Sequence, residues 1–205
     1  MKSSINFLLF DQSGSIIADW SEVFEEAGAA IIVDSTHVRR KFGLPEFIGQ
    51  LFIHVVGVKG HDIVKYALDI NSSKEQTTTC THDANAWPSD FFAGLPAPRD
   101  GENVTLWLQN SHPSSIPAGE IGINVMGDSQ IVWLKEEIPP FGSLPLSVSR
   151  LIPKAKWPQQ MEITAGKHFV RPRYEITGGR TNRRIAHVNV ERADINPQPG
   201  IAEAA

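Results

Sequence analysis

The sequence is poor in cysteine and carries no excess of positive charge. Cys80 is the single cysteine, which excludes an intramolecular disulfide framework and a metal site built from several thiolates, and which fits a reducing compartment. The formal net charge of -4 gives no general attraction for nucleic acid or anionic lipid, because both select clustered Lys and Arg. We therefore expect a cytoplasmic protein without a nucleic-acid or membrane partner.

Long apolar segments and phosphate-binding loops are also missing. The first apolar run, Ile5 to Phe10, is too short for the hydrophobic region of a signal peptide, so secretion is not expected. Neither Gly14, in DQSGS, nor Gly57, in GVKG, begins a glycine-rich loop that leads into a helix. Nucleotide binding through a known loop is therefore not predicted.

Short apolar runs separated by turn residues dominate what is present. The 14 prolines and 16 glycines interrupt these runs repeatedly, which is typical of strands joined by turns. The pattern predicts an all-β, antiparallel β-sandwich, either one long sandwich or two similar Ig-like units in tandem. The predicted strands are Ile5 to Phe10, Ala29 to Val33, Gln50 to Val56, His61 to Ile70, Thr77 to Thr81, Val104 to Gln109, Ile121 to Met126, Gln130 to Lys135, Leu144 to Ser149, Met161 to Thr164, Lys167 to Ile176 and Arg184 to Arg192.

One segment predicts a short helix. Asp19 is a candidate N-cap, Glu22 stands at the capping-box position and Gly28 is a stop signal. The alternative is a turn between two strands.

The domain organisation rests on a segment without periodicity, Trp87 to Asn103, which is rich in Pro, Gly and Asp. We predict a first β unit over 1–90, a connecting segment over 91–103, a second β unit over 104–195 and a flexible tail over 196–205. A single sandwich over 1–195 is the alternative, and the chain could also continue in a longer protein. A faint repeat, GHDIVKYALDI at 60–70 over GKHFVRPRYEI at 166–176, suggests a tandem duplication, although chance similarity between amphipathic strands explains it equally well.

The basic segment KHFVRPRYE, at 167–175, has two interpretations. On a strand, Val170, Pro172, Tyr174 and Ile176 share one face with His168, and the charged residues share the other. A hairpin through TGGRTN can place Glu175 opposite His187 and Arg171 opposite Glu191, which favours a solvated sheet face, and Pro172 indicates a sheet edge or a bulge. The alternative is an anion site that binds phosphate or carboxylate through arginine side chains. Its candidate residues are Arg171, Arg173 and Arg184, with Arg180 and Arg183 nearby.

A divalent metal site is the second chemical hypothesis. Imidazole and carboxylate groups bind zinc, manganese or iron, and strand ends can bring distant ligands together. The candidate ligands are His61, Asp62, His82, Asp83 and His112. Their spacing matches no short metal-binding motif, so caps and turns explain these residues as well.

A cysteine and three tryptophans are further candidate functional residues. Cys80 and His82 point the same way on a strand, yet no glycine elbow accompanies them, so a small core residue is the better interpretation of Cys80. Trp87, Trp133 and Trp157 lie near turns, where indole rings can bind sugars, although tryptophan beside proline more often closes the end of a sandwich.

No catalytic set of residues is complete, so the leading functional hypothesis is a non-catalytic binding or structural module without a cofactor. It would bind a protein partner or a second copy through a sheet edge or face. The alternatives are a metal-dependent enzyme, with a divalent metal as cofactor, and a carbohydrate-binding module with a line of exposed indole rings.

Overall fold

The computed structural model describes residues 3–26, 28–56, 67–72, 77–82, 88–125, 128–153, 159–178, 183–188 and 190–192. Antiparallel strands dominate these residues, and two short helices accompany them. The prediction of an all-β fold is confirmed.

The first sheet contains β1 (Ser3–Asp11), β2 (Ile16–Phe24) and β3 (Gly49–Val56), in the order β2-β1-β3. A tight turn joins β1 to β2, because the Asp11 carboxylate accepts hydrogen bonds from the backbone N–H groups of Ser13 (2.9 Å) and Ser15 (3.0 Å). Gly14 has a φ of 88°, and a Cβ there would lie 1.8 Å from the carbonyl oxygen of Pro140. The turn therefore requires glycine both for its backbone angle and for its close approach to residue 140.

The predicted helix over Asp19 to Gly28 is wrong. Its first part belongs to β2, where Ala18 is buried and the Trp20 ring stacks on Phe7 of β1 at 4.9 Å between centroids. Pairing with β1 along the whole strand outweighs the local capping signals, as tertiary contacts often do.

The helix of this region lies further along the chain, as α1 (Ser35–Phe42). The Asp34 side chain caps its first turn by accepting from the His37 N–H at 2.9 Å, and Gly43 ends it in a left-handed conformation. The predicted strand over Ala29 to Val33 is wrong, because these residues form an irregular approach to the helix.

A small hairpin, β4 (Ala67–Ser72) and β5 (Thr77–His82), forms a sheet of its own. The strand predicted over His61 to Ile70 is described only from Ala67 onward. The first copy of the suggested repeat lies largely outside the described residues, so tandem duplication stays a prediction.

Two larger sheets form the rest of the structure. Their strands are β6 (Phe91–Leu95), β7 (Glu102–Asn110), β8 (Gly122–Val125), β9 (Val132–Trp133), β10 (Ser143–Ser147), β11 (Gln159–Thr164), β12 (Val170–Gly178), β13 (Arg183–Val188) and β14 (Glu191–Arg192). The four-stranded sheet has the order β10-β7-β12-β13, and the five-stranded sheet has the order β14-β6-β11-β8-β9. The predicted strand over Leu144 to Ser149 ends early, because α2 (Val148–Leu151) follows β10 directly.

Both large sheets contribute to one hydrophobic core. In β7, Val104, Leu106 and Leu108 are buried on every second position, and in β11, Met161 and Ile163 are fully buried. A second, smaller cluster lies between the first sheet and α1, around Leu9, Ala18 and Val38. The alternation of apolar residues thus places the core where a period of two predicts it.

The predicted connecting segment, 91–103, begins with a strand, because Phe91, Ala93 and Leu95 alternate as buried residues of β6. The division of the chain into domains stays a prediction.

The β12–β13 hairpin confirms one of the two predicted cross-strand pairs. Glu175 lies opposite His187, but Arg171 lies opposite Gln109 of β7, and Glu191 pairs with Phe92 of β6 in the other large sheet. Within the described residues, β13 ends at Val188, opposite Tyr174, and Pro172 pairs with Leu108 of β7 alone. Pro172 has no N–H to donate to a further strand at this position.

The first sheet meets the larger sheets at a turn over 139–142. Phe141 has a φ of 54°, the one positive φ of a non-glycine residue in the described ranges. Its ring stacks on Phe10 at 4.5 Å and contacts Phe52 edge-on at 6.1 Å. The buried Gln50 amide donates to the backbone carbonyls of Asn110 and Phe141. The contact between the first sheet and this turn thus combines aromatic packing with hydrogen-bonded buried polar groups.

Candidate functional site

The structure leaves the predicted metal site untested. His61, Asp62 and Asp83 lie outside the described residues, and for His82, at the end of β5, only the backbone is described. His112 follows β7; its Nδ1 accepts from the Ser114 N–H at 3.2 Å, and its ring stacks on Phe169 at 5.1 Å. Among the residues with described side chains, no group of three or more His, Cys, Asp or Glu could hold a metal ion. The metal site stays a prediction.

Two of the predicted anion-binding arginines, Arg171 and Arg173, lie on the face of the four-stranded sheet that points away from the core. Arg171 and Arg173 are half-buried on β12, and each already interacts with another group of the protein. On the same face, the indole N–H of Trp107 donates to the buried Glu175 carboxylate at 3.0 Å. The Arg184 backbone lies opposite Thr177, and its side chain is outside the described part. The anion site therefore stays a prediction as well.

The sequence analysis missed a pair of side chains that joins two loops. His168 Nε2 lies 3.1 Å from a carboxylate oxygen of Glu120, and the ammonium of Lys167 lies 3.6 Å from the same oxygen. The His168 side chain is 14% exposed, so the pair is partly shielded from water. Glu120 is far from His168 in the sequence and on no predicted strand, so no local pattern could have found the contact. It holds the loop before β8 against the loop before β12.

Hydrogen bonding to His168 and the charge of Lys167 lower the pKa of the Glu120 carboxyl below its usual value of 4.5. A carboxyl with a lowered folded-state pKa stabilises the protein above its unfolded-state pKa, and this contribution disappears as pH falls through the folded-state pKa. We expect Glu120→Gln to lower the melting temperature near pH 6 and to cost progressively less as pH falls below 4.5. Thermal unfolding followed by circular dichroism between pH 3 and 7 measures this.

The matched control is Glu137→Gln, which removes an exposed carboxylate from a nearby loop. A melting temperature of Glu120→Gln that tracks the wild type at a constant difference down to pH 3 would contradict the predicted linkage.

The open edge of the first sheet is a third feature, and we take it as the candidate binding site. Within the described part of the chain, β2 pairs with β1 on one side and with no strand on its other side. An unpaired edge presents a row of free N–H and C=O groups that another strand can bind. Two large apolar side chains of β2 are unusually exposed, Ile16 at 58% and Val23 at 47%.

The two faces of β2 differ in character. Ala18 and Trp20 point toward α1, where the Trp20 ring also approaches Phe42 at 5.7 Å. Ile16, Asp19, Ser21 and Val23 lie opposite Phe10, Leu8, Asn6 and Ser4 of β1 and so share the other face. A register shift between Leu9 and Phe10 takes the pairing from Ala18 directly to Ile16. This bulge brings Ile16 onto the face that carries Val23.

The remaining tryptophans bear on the carbohydrate hypothesis. Trp133, on the edge strand β9, is 47% exposed, and its ring lies over Gly122 of β8 beside the Ile131 side chain. Trp20 and Trp107 are half-buried, and Trp87 and Trp157 lie outside the described residues. The described side chains therefore provide one exposed indole rather than a line of them, and a carbohydrate-binding function stays a prediction.

In the part of the chain that the structure describes, neither α1 nor α2 is long and apolar enough to cross a membrane. No protein-family model, no curated protein and no solved structure matches this sequence.

Proposed function

We propose that this protein is a non-catalytic interaction module, built as an antiparallel β-sandwich with an added three-stranded sheet, that binds a protein partner by strand addition at β2. The single observation that carries the proposal is the open edge of β2 with Ile16 and Val23 exposed on one face. In strand addition, backbone hydrogen bonds supply affinity, and alternate side chains supply specificity.

The sandwich arrangement is supported by the shared core. Buried residues from both large sheets, such as Leu106 of β7, Tyr174 of β12 and Met161 of β11, belong to one hydrophobic cluster. Two sheets that bury their inner faces against each other satisfy the requirement of each for a covering layer. The smaller first sheet contacts this body at Phe141.

The exposure of Ile16 and Val23 also favours this function over a purely structural explanation of β2. Natural edge strands are commonly protected by charges, prolines, bulges or covering segments. β2 has a bulge at Ile17 and the acids Asp19 and Glu22, but it contains no proline, and its exposed aliphatic side chains stand at both ends of the strand. An edge with exposed aliphatic side chains binds a further strand more readily than one that is charged throughout.

Lysine substitution at the two exposed positions tests the proposal. We expect the double variant Ile16→Lys, Val23→Lys to keep the wild-type melting temperature within a few degrees, because neither side chain is in a core. Its association with other protein, measured by quantitative cross-linking and mass spectrometry in native extract and in the purified sample, should fall to background.

The matched control is Ile131→Lys, which places a charge at an aliphatic residue 38% exposed beside the edge of another sheet. Association that survives the double variant, or that the control abolishes equally, would refute the assignment to β2. A wild-type protein that cross-links to nothing, itself included, would refute the function.

A further inference from the structure

The geometry of β2 points to a specific occupant for its open edge. Resting on the proposed function, we infer that the strand added to β2 is β2 of a second copy, in an antiparallel pair centred on Trp20. The resulting dimer would carry a continuous six-stranded sheet, in the order β3-β1-β2 followed by β2-β1-β3 of the other copy.

The register follows from three conditions. Residues directly opposite in an antiparallel pair share a face, so a symmetric pair must place a residue opposite itself or opposite one of equal parity. Centring on Trp20 keeps both exposed apolar residues, Ile16 and Val23, inside the overlap of the two strands, whereas any other centre leaves at least one of them outside it. Centring on Asp19 would also set two carboxylates directly against each other, which is destabilising.

With Trp20 at the centre, no charged residue directly opposes another of like sign. Asp19 lies opposite Ser21 of the second copy, an uncharged residue whose hydroxyl donates to Asn6 within its own sheet at 2.9 Å. Glu22 lies opposite Ala18, a small residue, so no acid directly opposes another. The two Trp20 rings form a cross-strand aromatic pair on the face toward α1, a pair type that stabilises sheets.

The bulge completes the match. The register shift against β1 places Ile16, rather than Ile17, on the face that carries Val23. Because opposed residues share a face, the inferred pair sets Ile16 opposite Val23 of the second copy, so the two most exposed apolar side chains of β2 cover each other at both ends of the pair. A second copy is therefore a partner whose pattern fits β2 from Ile16 to Val23.

The first measurement is sedimentation velocity of the full chain over a hundredfold concentration range. We expect the wild type to show a monomer–dimer equilibrium, and Ile16→Lys, Val23→Lys to stay monomeric at every concentration. Asp19 and its symmetry mate are diagonal neighbours in this register, so Asp19→Asn should tighten dimerisation, by roughly two- to fivefold at low salt.

The register itself is tested by disulfide trapping in the Cys80→Ser background. Asp19→Cys, Ser21→Cys should give a covalent dimer under mild oxidation, with residue 19 of one copy linked to residue 21 of the other, because opposed strand residues meet disulfide geometry. Asp19→Cys, Glu22→Cys is the control, since those positions point to opposite faces and should trap little dimer.

The outcomes separate this inference from the proposed function. A monomeric wild type that binds another protein through β2 overturns the self-association and leaves the function standing. A dimer that survives the lysine variant, or that links residue 19 to residues other than 21, overturns the register. A monomer that also binds no other protein overturns both.

Discussion

Replacing Phe91 by alanine is expected to lower the free energy of unfolding by about 3–5 kcal/mol, the range for large aromatic truncations in a core. The Phe91 side chain is fully buried in the cluster shared by the two large sheets, so its removal loses transfer free energy and leaves a cavity. Urea titration followed by tryptophan fluorescence measures the effect.

Phe92→Ala is the matched control, because Phe92 is the next residue of β6, is only half-buried and faces away from that core. We expect it to cost clearly less than Phe91→Ala. Equal costs for the two variants would contradict the placement of β6 in the sheet and would favour a connecting segment without regular structure at 91–95.

The second large effect is expected at Asn110, which is fully buried at the end of β7. Its side-chain amide donates to the carbonyls of Ser114 (2.8 Å) and Pro139 (3.0 Å), and its side-chain oxygen accepts from the His112 N–H (3.0 Å). Asn110→Ala removes all three bonds at once. Since each buried group left without a partner costs about 1–3 kcal/mol before relaxation, we expect a loss of about 2–4 kcal/mol.

Hydrogen exchange shows which part of the structure Asn110→Ala destabilises. In Asn110→Ala, amides of the loops over 111–121 and 134–142 should exchange faster than those of β11, because Asn110 ties these loops to the sheet. Gln109→Ala changes the neighbouring half-buried residue and should leave that exchange unchanged. A stability loss without faster loop exchange would show that Asn110 acts through packing instead.

The strands with clean alternation were predictable from the sequence. In β7 and β12, apolar residues at every second position match the buried face, and the pairing of Glu175 with His187 follows from matching the faces of the hairpin. Local information also contained the true helix, since Asp34 and Gly43 are ordinary capping residues. The capping signals at Asp19, Glu22 and Gly28 predicted a helix in a different segment instead.

The features that were predicted wrongly or missed depend on contacts between residues that are distant in the sequence. The departure of Glu191 to the five-stranded sheet requires a free edge at β6, and the His168–Glu120 pair requires two loops to meet. Neither is encoded in a window of neighbouring residues. The candidate site was predictable only as a type, a sheet edge that binds protein, because the choice of β2 needs the strand order and the exposure of Ile16 and Val23.

The order in which the chain is synthesised affects how the turn at Phe141 forms. Pro139 and Gly142 close this turn through a hydrogen bond of 3.0 Å, and Phe141 occupies the position where such turns normally require glycine. Its ring contacts Phe10 and Phe52, and its carbonyl oxygen accepts from the Gln50 amide. These three residues leave the ribosome long before Phe141 does. The first sheet can therefore act as a template that selects the turn during synthesis, and a circular permutation that delivers 1–56 last would oblige the turn to form without it.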